Sequence, residues 1–244
     1  EDAFGEHEDR RLCAHARRGR LREVGHREAA QRLADDEHAR LQVVGLGQTV
    51  EHAWTDHILR TVRPDVVVVA TNYRDNERMP LLRGAHDTIA ATLAAKERFP
   101  SIETVYLLGV SLGGAVSGTA IAESVHATED GSGLYDYWID VEGLSNIIEA
   151  YAEASVALPQ VAADLEDETG GTPADQPEAY QRRSPALLAD AMSAAGLKAA
   201  VVVHDANDGL VVYNNGREMA SALAGAAIPT QFFTVLRHAD GQEP

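Results

Sequence analysis

Residues 106–118 read YLLGVSLGGAVSG. An apolar run meets Ser111, which has Gly109 and Gly113 two residues away on either side. Two readings compete. Ser111 is a nucleophile carried on a sharp turn, or a strand turns tightly into a helix and small residues are simply what fits. The five-letter pattern G-x-S-x-G decides little, because at this Gly and Ser content it arises by chance in roughly one such sequence in fifteen. Its surroundings carry more. ETVYLLGV (103–110) has the look of a buried strand, and GGAVSGTAIAESVHA (113–127) reads as the helix after it. A residue at the corner between two such elements is forced into strained backbone angles with its side chain pushed outward, and flanking glycines remove the Cβ atoms that would clash. The helix that begins there offers unpaired N–H groups and a positive dipole end, which favour an anionic intermediate.

Working outward, strand and helix alternate. LQVVGLG (41–47) reads as a short strand closed by glycine, and TVEHAWTDHILRTV (49–62) has apolar residues at helical spacing with Thr49 as a possible N-cap. PDVVVVATNYRD (64–75) is a β-branched run ending in turn residues, followed by a helical AHDTIAATLAAKERFP (85–100). Beyond the serine come a strand in LYDYWIDVEG (134–143), another in KAAVVVHDAND (198–208), a helix in NNGREMASALAGAA (214–227) and a last strand in TQFFTVLRHADG (230–241). Strands separated by helices imply crossover connections, hence an α/β fold with a mostly parallel sheet flanked by helices. Residues 144–186 exceed what one crossover needs and contain the Gly-, Pro- and acid-rich LEDETGGTPADQPEAY, so they are expected to form a helical cap insertion. The expected organisation is an irregular or atypical segment over 1–40, rich in Arg and His, and one domain over 41–244.

Composition narrows the chemistry. The 244 residues carry a net charge of −17, which argues against nucleic acid or an anionic membrane as partner. No apolar run approaches the ~20 residues of a membrane-spanning helix, and no charged-then-apolar signal segment opens the sequence. The expectation is a soluble protein, intracellular or already processed. Cys13 is the only cysteine, so neither an internal disulfide nor a cysteine-based metal site is available, and no metal or organic cofactor is expected.

A serine hydroxyl is a poor nucleophile near neutral pH and needs a histidine base with an acid to orient it. In the architecture that carries such a corner, the order along the chain is serine, acid, histidine. Three histidines follow Ser111: His126, His204 and His238. His126 lies about four helical turns on, ~20 Å away, too far to serve. His204 sits inside the apolar run VVVHD and reads as a packed strand-end residue. His238 falls just past the last strand, where a loop can bring it over the carboxyl edge of a parallel sheet. For the acid, HDANDGLVVY offers Asp205 and Asp208; Asp208 is preferred because Gly209 suits a turn aimed back over the sheet, although Asn-Asp-Gly is a turn sequence in any protein. An oxyanion would be held by the N–H of Leu112 and a second N–H after the early strand, with Gln48 the candidate and a plain strand end the alternative.

These stretches together resemble the α/β-hydrolase superfamily, within it the esterase and prolyl-oligopeptidase-like branches. GVSLGG looks like the nucleophile turn, the stretch 184–223 like the acid-bearing segment, FFTVLRHADG like the histidine loop, and RRSP around Ser184-Pro185 like the pattern ahead of the acid in the peptidase branch. The resemblance implies a serine hydrolase with Ser111, Asp208 and His238 as triad and a small-molecule or polymeric ester as substrate. A prolyl-oligopeptidase-like peptidase is the alternative, placed second because no propeller domain is legible. A hydrolase-like fold without catalysis, used for binding, is a third.

Overall fold

The computed structural model describes residues 40–45, 66–74 and 79–236. The strands are β1 (Arg40–Gly45), β2 (Val66–Ala70), β3 (Thr104–Val110), β4 (Tyr137–Val141), β5 (Ala199–Asp205) and β6 (Thr230–Val235). They form one sheet in the order β2-β1-β3-β4-β5-β6, and every pairing is parallel. The expected α/β class is what the chain adopts. The expected helix over 49–62 and all but Arg40 of the segment 1–40 lie outside the described residues.

Helices α1 (Leu81–Arg98), α2 (Leu112–Glu123) and α7 (Asn214–Gly225) are the crossovers β2 to β3, β3 to β4 and β5 to β6. α1 packs on α2, and the 3-10 turn Pro185–Leu188 with α6 (Ala189–Ala194) bridges α2 to α7. Between β4 and β5 also stand α3 (Ile147–Ala157), α4 (Pro159–Thr169) and α5 (Pro177–Gln181). α3 is capped by Asn146, whose side-chain oxygen accepts from the N–H of Ile148 and Glu149; α4 opens on Pro159 and closes on Gly170 in the left-handed region.

The core lies between the sheet and these helices. Leu107, Ile121, Met219 and Leu223 are fully buried there, each worth ~1.5–3 kcal/mol relative to exposure. α2 is its centre. Every residue from Gly113 to Ala122 is buried, which a helix of Gly, Ala, Ser, Thr, Val and Ile allows because its neighbours can approach from all sides. Trp138 of β4 fixes it to the sheet, donating its indole N–H to the Ser117 hydroxyl at 2.9 Å.

The strand order reverses at β1. β2 lies on one side of it and β3 on the other, so the crevice at the carboxyl ends of β1 and β3 is a topological switch point, where open parallel sheets place their ligands. Register puts Gly45, the end of β1, beside Gly109, two residues before Ser111.

Candidate active site

β3 ends at Val110, α2 begins at Leu112, and Ser111 makes the whole turn between them. Its backbone stands at φ 54, ψ −121, a region that non-glycine residues avoid at a cost of about 1–3 kcal/mol. Three backbone bonds hold it there. Its N–H donates to the Val141 carbonyl (2.9 Å), and its own carbonyl accepts the N–H groups of Gly114 (2.9 Å) and Leu144 (3.3 Å). Gly109 makes the turn sterically possible: a Cβ there would overlap the Gly113 carbonyl and the Ser117 hydroxyl.

Ser111 occupies the N-cap position of α2, where a serine ordinarily accepts an N–H of the first turn; it makes no such bond. Among the described residues the hydroxyl has no hydrogen-bond partner, and the residue is half-buried. Leu112 is the first residue of the helix, so its N–H belongs to the group that finds no carbonyl within the helix. Gln48, the other expected oxyanion donor, lies outside the described residues, and so does His238.

Asp208 stands in the loop after β5, with its side chain mostly buried. Its Oδ1 accepts the N–H groups of Leu210 (2.8 Å) and Val211 (3.0 Å), a tight turn that fixes the carboxylate, and its Oδ2 lies 3.9 Å from the His204 ring. Asp205 is spent differently. It is buried at the end of β5, its Oδ1 accepts the Asn207 N–H (2.9 Å) and its carbonyl accepts the Asp208 N–H (3.2 Å), so it shapes the loop that carries Asp208.

His204 is completely buried. Its Nε2 lies 2.7 Å from the Val211 carbonyl, and a ring nitrogen facing a carbonyl must be the protonated one, which leaves Nδ1 buried with no partner among the described residues. It closes the acid loop from beneath and has no access to a substrate, in keeping with a packed strand-end residue.

Two buried polar features behind the corner escaped the reading of the sequence. Asp140 on β4 is paired in register with Gly109 and is almost wholly buried. Burial pushes its carboxyl up to about 7, and among the described residues its Oδ1 has no hydrogen-bond partner. The backbones of Gly114 and Gly143 close over it, since a Cβ on either would overlap that oxygen. A carboxylate inside the apolar strand YWIDV was the available signal. The second feature joins the turn after β4 to α7: Asn215 and Glu218 hold Ser145 and Asn146, residues close in space and some seventy apart in sequence.

Among the described residues no group of three or more His, Cys, Asp or Glu could hold a metal ion, and no helix is long and apolar enough to cross a membrane.

The sequence model of the prolyl oligopeptidase family matches residues 70–239. No curated protein matches by sequence. Among solved structures, the acylaminoacyl peptidase of Pyrococcus horikoshii superposes with a TM-score of 0.61 at 15% identity, over 82% of this chain and 33% of that one. A puromycin-hydrolyzing peptidase of Mycobacterium tuberculosis gives 0.58 at 20% identity, over 82% and 30%. A thermophilic, thermostable carboxylesterase cloned from a metagenomic library gives 0.57 at 20% identity, over 81% and 69%. The shared architecture is the α/β-hydrolase fold, and the chain spans about a third of the length of the two peptidases.

Proposed function

The chain belongs to the prolyl oligopeptidase family, and on that premise we propose that it is a serine hydrolase cleaving carboxylic esters through a covalent acyl-enzyme. The observation that carries this reading is the Ser111 backbone, held at positive φ between β3 and α2 with its hydroxyl unspent on the helix it precedes. A strained corner of this kind persists only where the surrounding structure over-determines it, and such corners concentrate at reactive sites.

In the proposed reaction the Ser111 Oγ attacks the ester carbonyl while His238 takes the hydroxyl proton. The tetrahedral oxyanion is met by the N–H groups of Leu112 and Gln48, each donor worth on the order of 10²–10³-fold in rate. Collapse breaks the bond to the alcohol, which leaves with the proton from the imidazolium, and water repeats the sequence to free the acid. Asp208 orients the imidazole and stabilises its charged form without itself taking the proton. The helices between β4 and β5, over 144–186, form the cap that shapes the acyl and alcohol pockets.

A peptide bond is the second reading, favoured by the family that the chain belongs to and by the Ser184-Pro185 turn packed against α2. The chemistry at Ser111 is the same; only the leaving group differs.

A fluorophosphonate probe tests the shared chemistry: wild type is labelled and Ser111→Ala is not. An unlabelled wild type leaves the fold as a binding scaffold. Rates on short p-nitrophenyl esters against a proline-containing peptide then separate ester from peptide cleavage.

A further inference from the structure

We propose that Asn215 is a positioning residue that sets the distance between the nucleophile corner and the acid loop; this rests on the reading of Ser111 and Asp208 as catalytic partners. Those residues come from different crossovers, separated by nearly a hundred positions; β4 joins the ends of their strands, taking the Ser111 N–H at Val141 and giving the Glu142 N–H to Val203. Beyond the strand ends, the side chain of Asn215, in the first turn of α7, adds a second link. Its Oδ1 accepts the backbone N–H of Ser145 (3.0 Å), and its Nδ2 donates to the Val212 carbonyl (3.2 Å). The amide orientation is dictated by chemistry, because only the oxygen can accept from a backbone N–H.

Both ends of this bridge lie one residue from the site. On one side Ser145 follows Leu144, whose N–H donates to the Ser111 carbonyl. On the other, Val212 follows Val211, whose N–H holds the Asp208 Oδ1. A continuous path therefore runs from Ser111 through Leu144, Ser145, Asn215, Val212 and Val211 to Asp208; its crossing from Ser145 to α7 rests on the Asn215 side chain, while Val212 also accepts the Asn215 backbone N–H at 2.9 Å. Asn215 and Ser145 are both buried, so water does not compete for these bonds.

Glu218, one turn on and on the same face of α7, reinforces the nucleophile side alone. Its Oε2 accepts from the Ser145 hydroxyl (3.0 Å) and its Oε1 from the Asn146 amide (2.9 Å). Without the Asn215 side chain the acid loop stays on α7 through the Asn215 backbone N–H to Val212, and the corner keeps only Glu218, one turn further along the helix from the acid loop. The expected defect is one of alignment between two intact halves rather than collapse of either.

The test compares wild type, Asn215→Ala, Asn215→Leu, which fills the volume without the acceptor for Ser145, and the isosteric Asn215→Asp, which keeps that acceptor and should stay nearer wild type. Readouts are fluorophosphonate labelling rate, kcat and KM on a p-nitrophenyl ester, the pH dependence of kcat/KM, and thermal unfolding. A misplacement of about an ångström costs up to ~10²-fold in rate, so kcat and the labelling rate of Asn215→Ala and Asn215→Leu should fall ~10- to 100-fold with KM within about twofold. The acidic limb of the pH profile should move to lower pH, as an imidazole less well supported by Asp208 gives up its proton more readily. If Asn215→Ala does not fold, Asn215→Leu carries the test by the same criteria. A folded Asn215→Ala or Asn215→Leu that labels at the wild-type rate, or one whose loss of rate follows only its loss of folded fraction with the pH profile unmoved, overturns the role of Asn215. A wild type that the probe does not label removes the catalytic reading and this one with it.

Discussion

The Ser111 N–H donates to the Val141 carbonyl at 2.9 Å, bonding the corner across to the neighbouring strand beyond the last paired residue of β3. A strained φ at Ser111 is thereby held from outside, and removing the strain should show as stability. Ser111→Gly, which takes positive φ without a Cβ penalty, is expected to unfold at higher temperature than Ser111→Ala by the equivalent of ~1 kcal/mol. Thermal denaturation of the two variants checks this, and an Ala variant as stable as the Gly variant would show that the corner carries no strain.

Gly109 leads to the opposite expectation. Its missing Cβ is replaced by the Gly113 carbonyl and the Ser117 hydroxyl, and backbone cannot move aside as a flexible side chain can. Gly109→Ala should cost about 3 kcal/mol or more, or prevent soluble expression. Gly225→Ala, at the end of α7 with nothing within 4 Å of the added Cβ, should be neutral or stabilising by up to ~1 kcal/mol. Denaturant midpoints for the pair decide, and equal losses would contradict the packing described for the corner.

Asp140 makes stability depend on pH. Burial raises its folded-state value to about 7 from 3.8, so between those limits the folded protein keeps a proton that the unfolded chain has released. Stability then falls as pH rises through that window, by at most ~1.4 kcal/mol per unit, and levels off above it. Asp140→Asn removes the slope. Variant and wild type should draw apart from pH 4 upward, with the variant more stable at pH 8 by on the order of a few kcal/mol. Urea titrations across pH 4–8 measure the difference; a gap that stays constant with pH would mean that Asp140 is not the group responsible.

For the catalytic reading, Asp208→Asn keeps the Oδ1 that receives the Leu210 and Val211 N–H groups, so the loop should survive. Turnover should fall by roughly 10³–10⁴-fold as the histidine loses its orienting charge. Asp205→Asn, altering a buried loop-shaping carboxylate, should act mainly on stability. Steady-state kinetics and thermal melts of both variants distinguish the two acids, and a larger loss of turnover at Asp205 would reassign the role.

How far the sequence could be read follows from the range of the interactions involved. Strands such as VVVVA and AAVVVHD declare themselves because burial selects β-branched residues over a few adjacent positions, and the alternation with helices sufficed for the parallel sheet. His204 was legible as packed because its neighbours along the strand are apolar. The turn at Ser111 was legible because all its requirements lie within five residues. Asn215 was not: its partners Ser145 and Val212 belong to two different loops, and in isolation it is one more Asn in a helix-opening NNG. Asp140 escaped because one acid among apolar residues reads as the exposed side of an alternating strand, and only the helix laid over β4 turns that position inward. Over 144–186 the helices follow caps and proline starts more than apolar periodicity, which is why length and composition marked an insertion there without giving its elements.

The bond from the Trp138 indole to Ser117 gives the protein a built-in optical reporter. Trp54 and Trp138 are its only tryptophans, and Trp138 lies dry beneath the helix that presents Ser111, its N–H bonded to a hydroxyl three residues past the edge of the corner's glycines. In a Trp54→Phe background the emission should be blue-shifted and inaccessible to iodide. It should redden on any loosening of the nucleophile helix, whether by heat, by Gly109→Ala or by ionisation of Asp140, so the state of the corner can be followed by light with no substrate present.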